Sequence, residues 1–265
     1  MKLFTIFGNP VHHSKSPLIH NSVFNEFGLN YRYTRTPLED GYKIRDKFFE
    51  LNLDGANITV PHKEIAYEIC DEVVGIAQKI KAVNTIIRKG SRLIGYNTDA
   101  QGFLDSISNF EDLKKVLILG AGGTAKAITN ILLEQNLDVT VINRSEGRLE
   151  AFQDLNVKNY TWDNFKVGKV DLVVNTTSAG LTDNKLPILK YDTVSEVLKN
   201  SRYAVDVIYK KTPFLRLAES LNLEVKDGGE MLIYQGILAN EHFTDFKIPK
   251  EEITKSMFKA FYLEK

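Results

Sequence analysis

Residues 116–125 read V-L-I-L-G-A-G-G-T-A. Four apolar residues in a row, with no polar alternation, mark a strand buried on both faces of a parallel sheet. The glycines follow at once and match G-x-G-x-x-A, the dinucleotide fingerprint with its last glycine replaced by alanine. Gly120 permits a tight turn out of the strand. Gly122 lets backbone approach a pyrophosphate with no side chain between, beside Ala121 and Gly123. Ala125 is small enough for helix and strand to pack closely. A helix opening there turns free N–H groups and the positive end of its dipole toward the phosphates. Glycine-rich turns also serve plain packing. Here a strand precedes, a helical stretch runs to Gln135, and the next strand, Asp138 to Ile142, follows at the distance a βαβ unit needs. That context puts the nucleotide reading ahead.

The second of these strands ends in N-R-S, residues 143–145. An NAD site usually carries Asp or Glu there for the ribose 2′-hydroxyl. This chain has Asn143, Arg144 and Ser145, with Arg148 one turn later. The missing acid removes repulsion against a 2′-phosphate, and two guanidinium groups and a hydroxyl supply donors for it. NADP is the cofactor this favours. S-adenosylmethionine fits the same fold but also favours an acid at this strand end, and Ser145 as a helix cap beside solvated arginines is the purely structural alternative. N-T-T-S-A-G-L, residues 175–181, follows another buried strand and suits a ligand crevice or an ordinary turn.

Outward from this unit, strand-like and amphipathic runs alternate through the chain, an α/β pattern. Residues 172–174, 204–205 and 223–225 continue the strand series, and the pattern is helical from Glu230 onward. The first half reads as strands over Leu3 to Phe7, Tyr31 to Thr36, Gly55 to Val60, Val83 to Arg88 and Arg92 to Tyr96. Helical patterns cover Pro17 to Phe27 and Tyr42 to Leu51, with one or two more from Lys63 to Lys81 broken near Gly75. No internal repeat is visible. A boundary between two α/β units falls near Asp99 to Ser108, and the terminal helices are expected to return to the first unit.

The totals narrow the function classes. The chain has 265 residues, long enough for one large domain or two smaller ones. Lys plus Arg equals Asp plus Glu at 34 each, which leaves no global footprint for nucleic acid or an anionic membrane. Cys70 is the only cysteine, so no intramolecular disulfide forms, which suits a reducing cytosol. It sits at helical spacing with Ile65 and Ile69 beside acids, the setting of a core thiol and not of a nucleophile. No apolar run approaches the ~18 residues that span a bilayer. The N-terminus is apolar too briefly for a signal peptide, so a cytoplasmic protein is expected.

The first half also holds clusters of polar residues. In G-N-P-V-H-H-S-K-S-P-L-I-H-N, residues 8–21, Ser14 and Ser16 alternate before a helix, a good place for an anion, although Ser16 also suits a plain N-cap. His12 and His13 are adjacent and no acid or cysteine completes a shell, so no metal is expected. A-N-I-T-V-P-H-K, residues 56–63, is a strand in which Asn57 and Thr59 alternate with Ile58 and Val60, so that one face feeds the core. Pro61 then ends the ladder and puts Lys63 in the first turn of a helix. Asn84 lies inside an apolar strand, where a buried amide needs partners. Asp99 enters a helix, where a plain cap is the commoner use.

These blocks together resemble the shikimate dehydrogenase family: G-N-P-V-x-H-S-x-S-P-x-x-H-N, N-I-T-V-P-x-K, A-V-N-T, G-Y-N-T-D-x-x-G, G-A-G-G-x-A, N-R-S and G-G-E-M-L-x-x-Q-G, in family order over nearly the whole chain. The resemblance implies an N-terminal α/β substrate domain over residues 1–100, completed by C-terminal helices 236–265. It also implies an NADP-binding Rossmann domain over 101–235 and an active-site cleft between the two. It implies the NADP-linked interconversion of shikimate and 3-dehydroshikimate in chorismate and aromatic amino-acid biosynthesis. By motif, Lys63 and Asp99 are the catalytic pair. Ser14 and Ser16 take the substrate carboxylate with Tyr209, and Asn57, Thr59, Asn84 and Gln235 take ring hydroxyls. Gly120, Ala121, Gly122 and Gly123 cradle the pyrophosphate, and Asn143, Arg144, Ser145 and Arg148 hold the 2′-phosphate. Thr176, Ile208 and Gly228 complete the cofactor site, with Ile208 near the nicotinamide. One block departs: D-V-I-Y-K-K-T-P-F, residues 206–214, is shorter than the family pattern. A quinate/shikimate dehydrogenase of broader cofactor use and a non-catalytic NADP-binding module are the alternatives. The sequence leaves monomer and homodimer open.

Overall fold

The computed structural model describes residues 1–187 and 191–263. The chain divides into two compact units, Met1–Phe103 with Leu232–Lys265, and Leu104–Met231. In chain order the first contains β1 (Lys2–Gly8), α1 (Ser16–Glu26), β2 (Tyr31–Pro37), α2 (Ile44–Glu50), β3 (Gly55–Ile58), α3 (Lys63–Ile69), β4 (Glu72–Val73), α4 (Ile76–Ile80), β5 (Thr85–Lys89), β6 (Arg92–Tyr96) and the start of α5 (Asp99–Ser106). Its six strands lie in the order β2-β1-β3-β5-β6-β4. β1 runs parallel to β2 and β3, while β5 is antiparallel to both β3 and β6.

The alternation in β1 serves two cores. Phe4 and Ile6 pack with Phe24, Tyr33, Ala239 and Phe243, whereas Phe7 packs with Ile44, Phe48, Ala56 and Ile86. Each fully buried phenylalanine contributes roughly 1.5–3 kcal/mol of transfer free energy.

Two local expectations, for Val60 and for Asn84, differ in the structure, while the break near Gly75 is present, with Gly75 at the N-cap of α4. β3 ends at Ile58, and the chain turns through residues 59–62 with the His62 N–H donating to the Thr59 carbonyl at 3.0 Å. Val60 is therefore on the turn and 55% exposed, not in the core. Asn84 stands just before β5 and not within it, although its backbone still donates to Tyr96 (3.0 Å) and accepts from Ile58 (2.7 Å). Between Lys63 and Lys81 the two helices are separated by β4, which pairs with β6 and is two residues long, below what a period can reveal.

The second unit continues with β7 (Lys115–Leu119), α6 (Gly123–Glu134), β8 (Asp138–Asn143), β9 (Lys158–Thr161), β10 (Leu172–Asn175), α7 (Tyr191–Lys199), β11 (Tyr203–Asp206), α8 (Pro213–Ser220) and β12 (Glu224–Lys226). Its sheet is wholly parallel in the order β12-β11-β10-β7-β8-β9. Renumbered within the unit, this is the 3-2-1-4-5-6 order of doubly wound dinucleotide folds, whose ligand crevice lies beyond the carboxyl ends of the strands where the order reverses. That point falls between β7 and β10. Val116, Leu117, Ile118 and Leu119 are all buried, as a strand covered on both faces requires. β9 reads K-N-Y-T and escaped the sequence pattern because it is a half-exposed edge strand. The chain then passes into α9 (Gly229–Phe243), which carries Ala239 and Phe243 to the first sheet, and α10 (Lys250–Leu263), which packs on α1. Among the described residues no helix is long and apolar enough to cross a membrane.

Candidate active site

The turn after β3 makes Lys63 the first residue of α3, and its Nζ lies 2.6 Å from Asp99 Oδ2. Their side chains are only 14% and 9% exposed. Asp99 opens α5 but does not cap it. The Asn97 side-chain oxygen accepts from the N–H groups of Asp99 (3.1 Å) and Ala100 (3.3 Å), which leaves the Asp99 carboxylate to the lysine. A pair this secluded gains little net stability, because desolvating two charges offsets most of their attraction. Its value is positional.

Beside the pair runs a continuous line of amides and hydroxyls, all in the first unit. Ser14 Oγ donates to Ser16 Oγ (3.2 Å), and Ser16 reaches the Tyr33 hydroxyl. Tyr33 donates to Asn57 Oδ1 at 2.6 Å, and Asn57 Nδ2 donates to Thr85 Oγ1 at 3.0 Å. Thr85 Oγ1 donates to Asn84 Oδ1 (3.1 Å), and Asn84 Nδ2 donates to Thr98 Oγ1 (2.9 Å). Thr98 Oγ1 comes within 3.5 Å of Gln235 Oε1. Ser14, Ser16, Asn57, Asn84 and Gln235 are thus joined, through Tyr33, Thr85 and Thr98, which the sequence reading did not single out. Burial raises the Tyr33 phenol well above its ordinary value, so it stays a donor. Ser16 does not cap α1: Lys15 takes the cap position and no side chain accepts there. Thr59 lies half-buried on the turn, its N–H on the Phe7 carbonyl at 2.9 Å. Cys70 is inert, its thiol pushed up to about 12 by burial and then by Asp71.

The second unit holds the glycine loop. Gly120 has φ +106°, and a Cβ there would meet Thr176 Oγ1 at 2.7 Å, so glycine is required by both backbone and space. Around Gly122 the opposite holds: a Cβ would find nothing within 4 Å. That space is open for a ligand to approach the backbone. Ala121 and Ala125 are buried behind the loop. α6 starts at Gly123 with no side-chain cap, so the N–H groups of its first turn lack intrahelical partners. These features fit a diphosphate.

At the end of β8, Asn143 Nδ2 donates to the Ser145 carbonyl at 3.0 Å. Arg144, Ser145 and Arg148 are exposed, Ser145 makes no capping bond, and among the described residues neither arginine has a carboxylate partner. The donor set fits an anionic group. Thr176 follows β10 and is fastened by N–H and hydroxyl bonds to the Leu119 carbonyl (2.9 and 2.8 Å). Ile208 is buried and Tyr209 half-buried on the turn after β11, and the Gly228 N–H donates to the Ile208 carbonyl at 3.1 Å. Tyr209 therefore lies in the second unit with the cofactor residues, apart in sequence and unit from Ser14 and Ser16.

The comparisons with known proteins match this arrangement unit by unit. Residues 6–86 match the family described as shikimate dehydrogenase substrate binding domain, and residues 105–209 match shikimate / quinate 5-dehydrogenase. The NADP(+) shikimate dehydrogenase of Helicobacter hepaticus is 44% identical over 264 residues, covering 98% of each chain. The crystal structure of shikimate dehydrogenase from Aquifex aeolicus matches with a TM-score of 0.86 at 31% identity, over 97% of each chain. That of the Thermus thermophilus enzyme, in complex with NADP(H) and shikimate, matches with a TM-score of 0.84 at 32% identity, over 98% of this chain and 100% of the other. With sequence identity sustained across both units, the chain belongs to the shikimate dehydrogenase family.

Proposed function

We propose that this protein catalyses the reversible NADP-linked interconversion of 3-dehydroshikimate and shikimate, a cytoplasmic step toward chorismate and the aromatic amino acids. The observation that carries the reading is the secluded Lys63–Asp99 pair beside a line of amides and hydroxyls that ends at two serines. Such a set suits a ring bearing several hydroxyls and one carboxylate. Ser14 and Ser16, with Tyr209, take the carboxylate; Asn57, Thr59, Asn84 and Gln235 take the hydroxyls.

NADPH, when bound, supplies hydride to the carbonyl carbon of the substrate. The chain's own task is to supply the proton. As the carbonyl oxygen gains charge, the Lys63 ammonium donates a proton to it, and the oxygen, still bonded to its carbon, becomes the hydroxyl of the product. In the reverse direction the neutral amine takes the hydroxyl proton back. Asp99 holds Nζ at 2.6 Å and so fixes the direction of donation. A positioned general acid of this kind contributes about 10²–10⁴-fold. Gly120, Ala121, Gly122 and Gly123 hold the diphosphate, Asn143, Arg144, Ser145 and Arg148 the 2′-phosphate, and Thr176, Ile208 and Gly228 the remaining cofactor surface.

A non-catalytic NADP-binding module is disfavoured because it has no use for a desolvated lysine and aspartate held together. A quinate/shikimate dehydrogenase that uses NAD is disfavoured by Asn143 and Arg144 where a ribose-binding acid would stand. Steady-state rates with shikimate and quinate, each with NADP⁺ and NAD⁺, test the reading. The shikimate and NADP⁺ combination should be fastest by a wide margin. Equal rates across the set, or none, would replace it.

A further inference from the structure

Asp206 is fully buried at the end of β11, and among the described residues no lysine or arginine pairs with it. Its two oxygens take three neutral donors. Oδ1 accepts from the Ile208 N–H (3.0 Å), and Oδ2 accepts from the Asn175 amide (2.8 Å) and the Thr212 hydroxyl (2.7 Å). Asn175 accepts in turn from the N–H and hydroxyl of Thr177, at 3.0 and 2.8 Å. The Gly228 N–H donates to the Ile208 carbonyl, and a Cβ on Gly228 would collide with the Val207 carbonyl, so these two backbones touch. Thr212 also caps α8 through the Leu215 N–H. One carboxylate therefore ties together the turn after β10, the turn after β11, the start of α8 and, through Ile208, the approach to α9.

A buried charge held only by neutral donors is costly, and burial, with Asp227 as a lesser contributor, pushes this carboxyl up to about 6. The turns it joins carry Thr176, Ile208, Tyr209 and Gly228. None of them carries the glycine loop or the arginines after β8. We propose that Asp206 is a positioning residue that sets the turns around Ile208, and so governs the nicotinamide half of the cofactor site but not its adenosine half. This rests on the reading of the protein as an NADP-linked dehydrogenase.

Asp206→Asn is the perturbation. An amide at 206 still accepts from Ile208, but its NH₂ then faces the NH₂ of Asn175. Asn175 cannot turn over without presenting that NH₂ to the Thr177 N–H. The double exchange Asp206→Asn with Asn175→Asp restores a matched pair, since a carboxylate at 175 accepts both from Thr177 and from the new amide.

The experiment titrates full-length wild type and variants with NADPH, read by nicotinamide fluorescence, and with 2′-phospho-ADP-ribose, which lacks the nicotinamide, read by calorimetry. Asp206→Asn should weaken NADPH roughly tenfold, the scale of one mismatched buried hydrogen bond, and leave the fragment within about twofold. The double exchange should recover NADPH affinity. Unchanged affinity for both ligands overturns the proposal, as does equal weakening of both. If the single variant does not fold, Thr212→Val, which removes one donor, gives the same comparison with the same two contradicting outcomes. Wild type that binds neither ligand refutes the NADP reading itself, a separate result.

Discussion

Acidification should weaken the first unit through one buried side chain, His20. Its ring is fully buried and stacked on Tyr33 with centroids 4.5 Å apart. Nδ1 lies 3.1 Å from Asn240 Nδ2, which makes it the acceptor. Burial lowers its pKa from 6.5 to about 3. The sign follows. The folded value lies below the unfolded one, so the stability contributed by neutral His20 is fully present above pH 6.5 and is lost as pH falls toward 3. The whole shift corresponds to about 5 kcal/mol, and acidification by about two units below 6.5 takes roughly 2–3 kcal/mol of it. Asp206 in the second unit works the other way. Its carboxyl is raised from 3.8 to about 6, so its contribution is fully present below 3.8 and lost as pH rises through 6. The two oppose each other in any global curve, so the variant comparison decides. Urea unfolding of wild type and His20→Gln, followed by far-UV circular dichroism near neutral pH and near pH ~4.5, isolates the histidine. Wild type should lose about 2–3 kcal/mol more than the variant on acidification. Parallel losses in the two proteins would refute the argument.

Three further outcomes follow from the site. Lys63→Ala should lower kcat by roughly 10²-fold or more with cofactor affinity kept, and near-normal turnover would remove the lysine from proton transfer. Ser14→Ala should raise KM for the carboxylate substrate by roughly tenfold with a smaller change in kcat; an unchanged KM takes Ser14 out of the site. Arg144→Glu should weaken NADP⁺ against NAD⁺ by roughly 10-fold to 100-fold in calorimetric titrations, because one charge-assisted contact is lost and a repulsion added. The same ratio in both proteins would show that the 2′-phosphate is held elsewhere.

The sequence exposes what is local and self-contained. The strand before Gly120, the turn and the helix after it occupy one contiguous stretch, and the pattern needs no partner to be read. Lys63 at the start of a helix follows from Pro61 in the same way. What stays hidden depends on distant chain or on short edges. β4 and β9 are brief edge strands, so their pairing with β6 and β8 leaves no periodic trace. Asn97 and Asp99 are both good helix caps two residues apart, and only the approach of Lys63 decides that asparagine caps while aspartate pairs. Tyr33 sits in the alternating polar run Y-R-Y-T-R-T and looks solvent-facing until Asn57, 24 residues on, takes its hydrogen bond. Asp206 ends an apolar strand as many surface acids do, and its burial appears only when Asn175 and Thr212 close over it.

The reaction proposed for the protein is direct hydride transfer between the substrate carbinol carbon and NADP. Mixing the protein with NADP⁺ and shikimate deuterated at that carbon, while following the NADPH absorbance band and weighing the reduced cofactor by mass spectrometry, tests it in one reaction. The expected result is a rising band and reduced cofactor carrying the deuterium, with the rise slowed roughly 10²-fold or more in Lys63→Ala. No rise in the wild type, or a rise without deuterium in the cofactor, would contradict it.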